Sequence, residues 1–483
     1  MRKELKRIAV VIMAMFAALF VAATGIQFAY SDALTNDPRN VRTLYDSYKT
    51  KRGAILVDGE PIADSVATGD SYFYQRTYSS KMYSAVTGFY SLYQGTTGIE
   101  GAMNSYLTGK NSAQFFEQVN ALLSGNPVQG ASVELTIDPD VQRAAQKALG
   151  SLTGAVVAIE PSTGRILAMV STPGFDANRL SDHSSKNAQG AYQDLLTASP
   201  SPLINRAIAG DLYAPGSVFK LIVAAAAFES GQFTPESKIP NPPKYKLPGT
   251  ETYVYNSGEG KCGGRSTVTI ADALRFSCNV PFAQLGIALG QDRIRAQAEL
   301  FGFGKALRIP MSVTPSIYPQ GMDDAQTGLS AFGQYNDRVT PMQMALVAAT
   351  IANGGVAMKP TLIENVISSN LSVLQQNQPS VLAQPISQTT AKRLREMMVA
   401  AVSSGVSSNG QIKNVKVAGK TGTAQNGEDQ PYTLWFTGFA PADNPKVAVA
   451  VVVADGGGMG QRGFGNLLAA PVARKVMQAV LNK

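Results

Sequence analysis

The sequence is short of the residues on which several common catalytic sites depend. Among 483 residues there are one histidine, His183, and two cysteines, Cys262 and Cys278. A Ser-His-Asp triad would have to use His183, but its surroundings, LSDHSSKNAQG, suggest no catalytic partner and indicate an exposed loop. One histidine and two cysteines also argue against a zinc site of the His/Cys kind. We therefore expect no metal and no cofactor, and any activated nucleophile must use a base other than histidine.

Basic clusters and phosphate-binding loops are scarce as well. The net charge is +8 and the isoelectric point about 9.2, yet lysine and arginine are dense only in the first seven residues. This pattern argues against a nucleic-acid partner and fits a chain beside an anionic membrane or cell wall. The glycine-rich segments GEGKC and GGGMGQRGFG lack the G-K-[ST] ending of a phosphate-binding loop.

One long apolar segment is present, at the N-terminus. After Arg2, Lys3, Lys6 and Arg7, the chain is uncharged from Ile8 to Ser31, a stretch of 24 residues. This length suits a spanning helix, and the basic flank predicts that the N-terminus is cytoplasmic. We expect a single-pass protein of the cell membrane with its catalytic part outside. The small residues at the end of the segment leave a cleaved signal peptide as the alternative.

The composition divides the chain into three predicted parts. Residues 1–31 are the cytoplasmic tail and transmembrane anchor, residues 32–130 are a small extracellular module, and residues 131–483 are the catalytic domain. In the last part, strand patterns occur near both ends, as in GAVVAIEPSTGRILAMVS and KVAVAVVVAD, whereas helices dominate from 215 to about 305. We predict an α/β fold of the α+β type, in which one antiparallel sheet built from the two ends is flanked by helices.

A serine and a lysine lie three residues apart at a predicted helix start. In APGSVFKLIVAAAAF, Pro215 and Gly216 precede Ser217, and Lys220 enters an apolar run that must be buried. The helix dipole disfavours a cation there, and burial favours its neutral form. A neutral lysine can take the hydroxyl proton of serine, and free N–H groups, including that of Ser217, suit an oxyanion. A snorkelling lysine beside an incidental capping serine is the alternative.

Two further motifs complete a set. Ser277-Cys278-Asn279 places a hydroxyl and an amide two residues apart, although S-x-N also occurs elsewhere, for example at Ser368 and Ser407. Lys420-Thr421-Gly422-Thr423 contains the chain's one Lys-Thr-Gly, on a predicted strand. The second cation helps to keep Lys220 neutral, Gly422 allows a ligand backbone to lie close, and Thr421 and Thr423 can bind a carboxylate. The order S-x-x-K, S-x-N, K-T-G indicates an acyl-serine enzyme of the penicillin-recognising type.

The two cysteines form a candidate disulfide. Outside the membrane a cysteine pair tends to oxidise, and a Cys262–Cys278 bond would close a loop of about 15 residues. Two unrelated buried thiols are the alternative.

Over nearly its whole length the chain resembles the class B penicillin-binding proteins, most closely the actinobacterial penicillin-binding protein A subfamily. The similar segments include KRGAILVDGEPIADSV, GFYSLYQGTTGIEGAMNSYLTG, NRAIAGDLYAPGSVFK, VTPMQMALVAATIANGG, VAGKTGTAQ and WFTGFAP. The resemblance implies a DD-transpeptidase that cross-links peptidoglycan through an acyl-Ser217 intermediate and is a target of β-lactam antibiotics. It also implies the D-Ala-D-Ala stem peptide as substrate, a glycan polymerase of the SEDS type as partner, and work with division or elongation proteins.

Two positions depart from the pattern of these relatives. Thr433 stands where a histidine often precedes the tryptophan of the WF strand, and Tyr335 follows FGQ where glycine is more usual. Both concern the acceptor side of the site rather than the nucleophile.

Two other functions remain as alternatives. A serine β-lactamase or DD-carboxypeptidase would hydrolyse the acyl-enzyme, but no convincing E-x-x-x-N motif lies between Asn279 and Lys420. A β-lactam sensor would need further spanning helices or a cytoplasmic domain, and a scaffold would not need all three motifs.

Overall fold

The computed structural model describes residues 2–30, 34, 50–70, 72–125, 128–210, 212–258 and 260–482. Its α-helices are α1 (Arg2–Thr24), α2 (Ser84–Thr87), α3 (Gly98–Ala102), α4 (Asn104–Leu107), α5 (Phe115–Ser124), α6 (Pro139–Leu149), α7 (Ser185–Thr197), α8 (Lys220–Glu229), α9 (Ile270–Arg275), α10 (Asn279–Leu289), α11 (Gln291–Leu300), α12 (Asp324–Ser330), α13 (Pro341–Ala352), α14 (Gln388–Ser403) and α15 (Gly465–Leu481).

The strands are short in the first part of the chain and longer near its end. They are β1 (Ile55–Val57), β2 (Glu60–Ala67), β3 (Tyr74–Tyr78), β4 (Tyr90–Ser91), β5 (Gly95–Thr96), β6 (Ser132–Leu135), β7 (Gly154–Ile159), β8 (Ile166–Thr172), β9 (Lys238–Pro240), β10 (Lys244–Lys246), β11 (Tyr253–Tyr255), β12 (Thr267–Thr269), β13 (Leu307–Arg308), β14 (Ser312–Val313), β15 (Ala357–Met358), β16 (Ile363–Ile367), β17 (Val373–Gln376), β18 (Val381–Ala383), β19 (Ala418–Ala424), β20 (Thr433–Ala440) and β21 (Val447–Val453).

The N-terminal helix has the length and composition of a membrane span. Helix α1 continues into a π-helical turn, Gly25–Ala29, and the segment Lys3–Phe28 has a mean hydropathy of 2.5 with none of its surface buried. Its 26 residues correspond to about 39 Å of helix, which exceeds the roughly 30 Å of a bilayer core. This agrees with the predicted anchor; its expected end at Ser31 lies outside the described residues.

The catalytic sheet is antiparallel and joins the two ends of the predicted catalytic part, as expected. Its strand order is β19-β20-β21-β7-β8, and the β7–β8 hairpin turns around Ser162-Thr163-Gly164. The β-branched residues of β21 are buried on both faces, because α6 and α15 cover one face and α13 covers the other. Strand β19 lies at one edge of the sheet and therefore keeps one side open to a ligand.

Helix α8 lies in the middle of the helical part. Every residue from Lys220 to Phe228 is buried, against α10, α11 and α14, so the helix is apolar on all sides. The expectation that helices dominate from 215 to about 305 is wrong between 231 and 269. That stretch contains the antiparallel pair β9–β12 and, between these two strands, the β10–β11 hairpin; all four strands are too short to show a clear period in the sequence.

A second sheet, ordered β17-β16-β6-β1-β2-β3, combines strands from either side of residue 130. Strand β1 pairs in parallel with β6, with Ile55 opposite Val133. Beside this sheet the carboxylate of Glu100, fully buried, accepts hydrogen bonds at 2.6 Å from both Arg52 and Arg76. The division at 130/131 remains a prediction.

His183 lies in a loop, as expected, but the expectation that it is exposed is wrong. Its side chain is only 11% exposed, because the ring contacts the Asp70 carboxylate and lies 5.0 Å from the ring of Tyr72. The hydrogen bond with His183 is the main cause that lowers the pKa of Asp70 to about 2. His183 thus packs against the β2–β3 connection, a long-range contact that its sequence neighbours do not indicate.

Candidate active site

Ser217 lies in a 3-10 turn, Gly216–Val218, directly before α8. In such a turn the side chains of residues three apart are nearly eclipsed, so Ser217 and Lys220 share one side. Gly216 has φ +53°, and a Cβ there would lie 2.9 Å from the carbonyl oxygen of Thr423. Glycine is therefore required twice over, by the backbone conformation and by the close approach of the turn to β19.

Two hydrogen bonds fasten the segment before Ser217. The N–H of Gly216 donates to the carbonyl of Gly333 at 2.9 Å, and the indole N–H of Trp435 donates to the carbonyl of Ala214 at 2.9 Å. Ser217 is 9% exposed. The nucleophile candidate is thus nearly enclosed, on a turn braced by β20 and by the loop after α12.

Lys220 is fully buried, and its amine donates to carbonyl oxygens. Nζ lies 2.8 Å from the backbone oxygen of Ser277, 2.9 Å from Oδ1 of Asn279 and 3.5 Å from Oγ of Ser277. The rings of Phe282 and Phe332 flank it at 5.4 and 6.0 Å. Among the described residues, no carboxylate forms an ion pair with this amine.

Burial, and secondly the charge of Lys420, lower the pKa of Lys220 well below its ordinary value. Burial alone lowers the pKa of Lys420 to about 7. The charge of Lys420 therefore disfavours a proton on Lys220.

Ser277 lies between α9 and α10 and bridges the two lysines, and Asn279 is the first residue of α10. Lys420 Nζ donates to Ser277 Oγ at 2.7 Å, while the backbone oxygen of Ser277 accepts from Lys220. Ser277 has φ +60°, an uncommon conformation for a residue with a side chain. Cys278 between them is joined to Cys262 in the expected disulfide, with a Cα–Cα distance of 5.6 Å.

The K-T-G segment is the edge strand β19. Gly422 packs under the serine turn, and a Cβ there would lie 2.9 Å from the carbonyl oxygen of Pro215. The Thr421 hydroxyl is bonded to Ser407 Oγ at 3.0 Å and only 8% of Thr421 is exposed. Thr423 is half-buried, and its hydroxyl accepts from the N–H of Gly465 at 3.3 Å. Of the two threonines, Thr423 is the more accessible to a ligand.

The two positions that depart from the relatives have structural accounts. Thr433 is buried at the start of β20, and its hydroxyl accepts from the Asn426 amide at 3.0 Å. Tyr335 has φ +66° and is 36% exposed. A left-handed residue at this position explains why glycine would be the less strained choice.

Sequence reasoning missed several residues that support the site. Ser407 begins another S-x-N match, and its Oγ contacts the Thr421 hydroxyl and accepts from the Thr421 N–H, each at 3.0 Å. Gly333 accepts from Gly216, and Asn256 bonds the start of α10 at 3.0 Å. The glycine-rich setting of Asn256, NSGEG, indicates only a loop, so no local signal marked it.

The site combines three features: a serine one turn before a buried lysine, a second buried lysine on an edge strand, and a serine-amide segment between the two lysines. This combination defines the class of penicillin-recognising acyl-serine enzymes. Family models agree: "Penicillin binding protein transpeptidase domain" matches residues 154–478, and "Penicillin binding protein A dimerisation domain" matches residues 52–133. The chain belongs to the penicillin-binding protein transpeptidase family, and it is a serine-type D,D-transpeptidase.

Curated relatives match over the whole chain. "Peptidoglycan D,D-transpeptidase PbpA" of Mycolicibacterium smegmatis is 39% identical over 100% of both chains, and that of Mycobacterium tuberculosis is 38% identical over 100% of this chain and 99% of its own. Among solved structures, the ceftriaxone acyl-enzyme complex of penicillin-binding protein A from M. tuberculosis superposes with a TM-score of 0.87, at 38% identity over 90% of this chain and all of that one. A D,D-transpeptidase domain from Eggerthella lenta superposes with a TM-score of 0.78, at 31% identity over 90% of this chain and 99% of that one.

Proposed function

We propose that this chain cross-links peptidoglycan stem peptides, with Ser217 as nucleophile and Lys220 as its base. The observation that supports this most directly is the hydrogen bonding of the buried Lys220 amine. A neutral amine has two hydrogens, and the carbonyl oxygens of Ser277 and Asn279 can take both, at 2.8 and 2.9 Å. Its lone pair then remains for the proton of the Ser217 hydroxyl.

The first step forms an acyl-enzyme. As Ser217 Oγ bonds to the carbonyl carbon of the penultimate D-Ala, its proton passes to Lys220. The tetrahedral adduct then collapses, the C–N bond to the terminal D-Ala breaks, and the leaving amine takes that proton. The N–H of Ser217, in the turn before α8, suits the oxyanion. The products are an ester on Ser217 and free D-Ala.

Ser277 and Lys420 provide a second path for the proton. Ser277 Oγ lies 2.7 Å from Lys420 Nζ and 3.5 Å from Lys220 Nζ, so the hydroxyl can pass a proton between the two amines. Lys420, when protonated, also attracts the terminal carboxylate of the donor peptide. Thr423 and the open edge of β19 at Gly422 can bind that carboxylate and the peptide backbone, and Thr421 positions the strand through Ser407.

In the second step an amine of a neighbouring stem peptide attacks the ester. Lys220 accepts the proton of the amine, the ester C–O bond breaks, and Ser217 recovers its proton. A β-lactam can enter the first step in place of the D-Ala-D-Ala end, and its opened ring stays attached. The acyl-enzyme complex of the M. tuberculosis relative supports this part of the proposal.

A labelled penicillin tests the nucleophile. We expect one covalent adduct, located at Ser217 by peptide mapping, and none in Ser217→Ala. The matched control is Ser230→Ala, at the other end of α8, where the hydroxyl donates to the carbonyl of Ala227 at 2.6 Å and accepts from the N–H of Gln232 at 3.1 Å. Labelling of Ser217→Ala at another serine would overturn the assignment.

Transfer and hydrolysis are separated by the fate of the acyl group. With a D-Ala-D-Ala substrate and an added amine, we expect D-Ala release together with an amide of the amine. Release into water alone would favour the carboxypeptidase or β-lactamase alternative, and acylation without any turnover would favour a sensor.

The location and partners are part of the same proposal. The unburied apolar segment Lys3–Phe28 supports a single-pass anchor with residues 32–483 outside the membrane, divided at 130/131 into a module and a catalytic domain. The resemblance supports a SEDS-type glycan polymerase and division or elongation proteins as partners. Co-purification of the full chain with its polymerase from membranes, with α1 kept or replaced by another spanning helix, tests whether the partner recognises the anchor.

A further inference from the structure

Helix α10 begins beside the candidate active site without a capping side chain from its own preceding residue. Cys278 makes no side-chain cap hydrogen bond, since its sulfur belongs to the disulfide. The first N–H groups of a helix need acceptors from outside the helix. Here the N–H groups of Asn279 and Val280 both donate to Oδ1 of Asn256, at 3.0 and 3.1 Å. A residue 23 positions earlier in the chain therefore caps this helix.

Asn256 is itself held on its other side. It is 3% exposed, and its Nδ2 donates to Oδ1 of Asn241 and to the carbonyl of Gly260, each at 3.1 Å. Asn241 is fully buried and donates to the carbonyls of Cys262 and Arg265 at 2.7 and 2.8 Å. These partners fix the Asn256 amide orientation, because only its nitrogen can donate to carbonyls and only its oxygen can accept from N–H groups.

The same segment also orients the side chain of Asn279. The carbonyl of Tyr255, the residue before Asn256, accepts from Asn279 Nδ2 at 3.1 Å. Asn279 Oδ1 is thereby turned to Lys220, 2.9 Å away. Tyr255 and Asn256 together determine both the backbone and the side-chain position of Asn279.

We propose that Asn256 is a positioning residue for acyl transfer: by capping α10 it places Ser277 and Asn279 so that the lone pair of Lys220 points at Ser217. The inference rests on the proposed roles of Ser217 and Lys220. Loss of the two cap bonds would let the first turn of α10 shift, and a misplacement of about 1 Å in a catalytic array can cost about 100-fold in rate.

The test is the rate constant for acylation of the full-length protein in detergent micelles by a fluorescent penicillin, measured across pH. For Asn256→Ala we expect a rate between about 10- and about 100-fold lower at every pH. The matched control is Asp138→Ala, which removes an equivalent double cap from α6, on the N–H groups of Asp140 and Val141 at 3.0 and 3.1 Å. Helix α6 covers the face of the catalytic sheet opposite to α13. A folded Asn256→Ala that acylates as fast as the control overturns the proposal.

Asn256→Asp keeps the test decisive if the alanine variant does not fold. Only its protonated form can accept from the two N–H groups of α10 and also donate to Asn241 Oδ1 or the Gly260 carbonyl, as the amide does, because the ionised form has no hydrogen to donate. The ratio of the Asn256→Asp rate to the wild-type rate should therefore fall as the pH rises and the cap is lost. A ratio that does not change with pH contradicts the proposal. A wild-type protein that is never acylated at Ser217 would instead overturn the proposed function.

Discussion

Replacing Lys420 by methionine should stabilise the fold, and more so at neutral than at alkaline pH. Lys420 is fully buried, and its pKa is lowered from 10.5 to about 7 by burial. The unfolded chain keeps its proton up to a pH of about 10.5, whereas the folded protein releases it above about 7. The free energy of unfolding of the wild type therefore falls as the pH falls from 10.5 to 7. Below pH 7 the group is protonated in both states, so its titration changes this free energy no further. Methionine has no such titration.

The magnitude follows from the two pKa values. The free energy of unfolding of Lys420→Met minus that of the wild type should be about 2 kcal/mol larger at pH 7 than at pH 9. This is close to the limit for one proton, about 1.36 kcal/mol per pH unit. Lys420→Met should also lose acylation, because Ser277 Oγ loses its donor at 2.7 Å. Stability gained with activity lost is the usual trade-off at a functional site.

The assay is urea unfolding of the full chain in micelles, followed by the fluorescence of Trp435. It is the chain's one tryptophan, fully buried and bonded to Ala214 beside the site. The control is Lys416→Met, which removes a lysine of the same length from the surface, where its amine is 69% exposed and pairs with Asp443. A difference between wild type and Lys420→Met that stays constant over this range would refute the reasoning, since Lys420 would then titrate alike in both states.

Three further outcomes are expected. Acylation of the wild type should rise with pH as Lys220 loses its proton, and Lys220→Arg, which cannot deprotonate, should acylate about 100-fold more slowly or worse; a near-normal rate would point to another base. Non-reducing peptide mapping should recover Cys262 linked to Cys278, and reduction should slow acylation modestly by loosening the loop of Ser277 and Asn279; two freely alkylated thiols would contradict the pairing. The penicilloyl adduct on Ser217 should survive for many minutes after free drug is removed, as intact-mass spectrometry can follow, whereas loss within seconds would indicate a hydrolase.

Features that depend on neighbouring residues were accessible from the sequence. The S-x-x-K spacing is one helical turn, so Ser217 and Lys220 share a side whatever surrounds them. The long apolar helix at the N-terminus follows from a long uncharged run, and the strand patterns of β7 and β21 follow from β-branched residues in a buried sheet. Burial of Lys220 could also be expected, since the run after it is apolar on every side of the helix.

Contacts between distant segments were decided by the tertiary structure alone. The stretch 231–269 has strands of only three residues, too short for a period, and their pairing is what makes them strands. His183 is covered by a connection more than 100 positions away, and Asn256 caps a helix that begins after two intervening elements. Desolvation lowers the pKa of both Lys220 and Lys420, and the charge of Lys420 lowers that of Lys220 further. These shifts depend on how α8, α10 and β19 pack, because charge and hydrogen-bond partners act through space rather than along the chain.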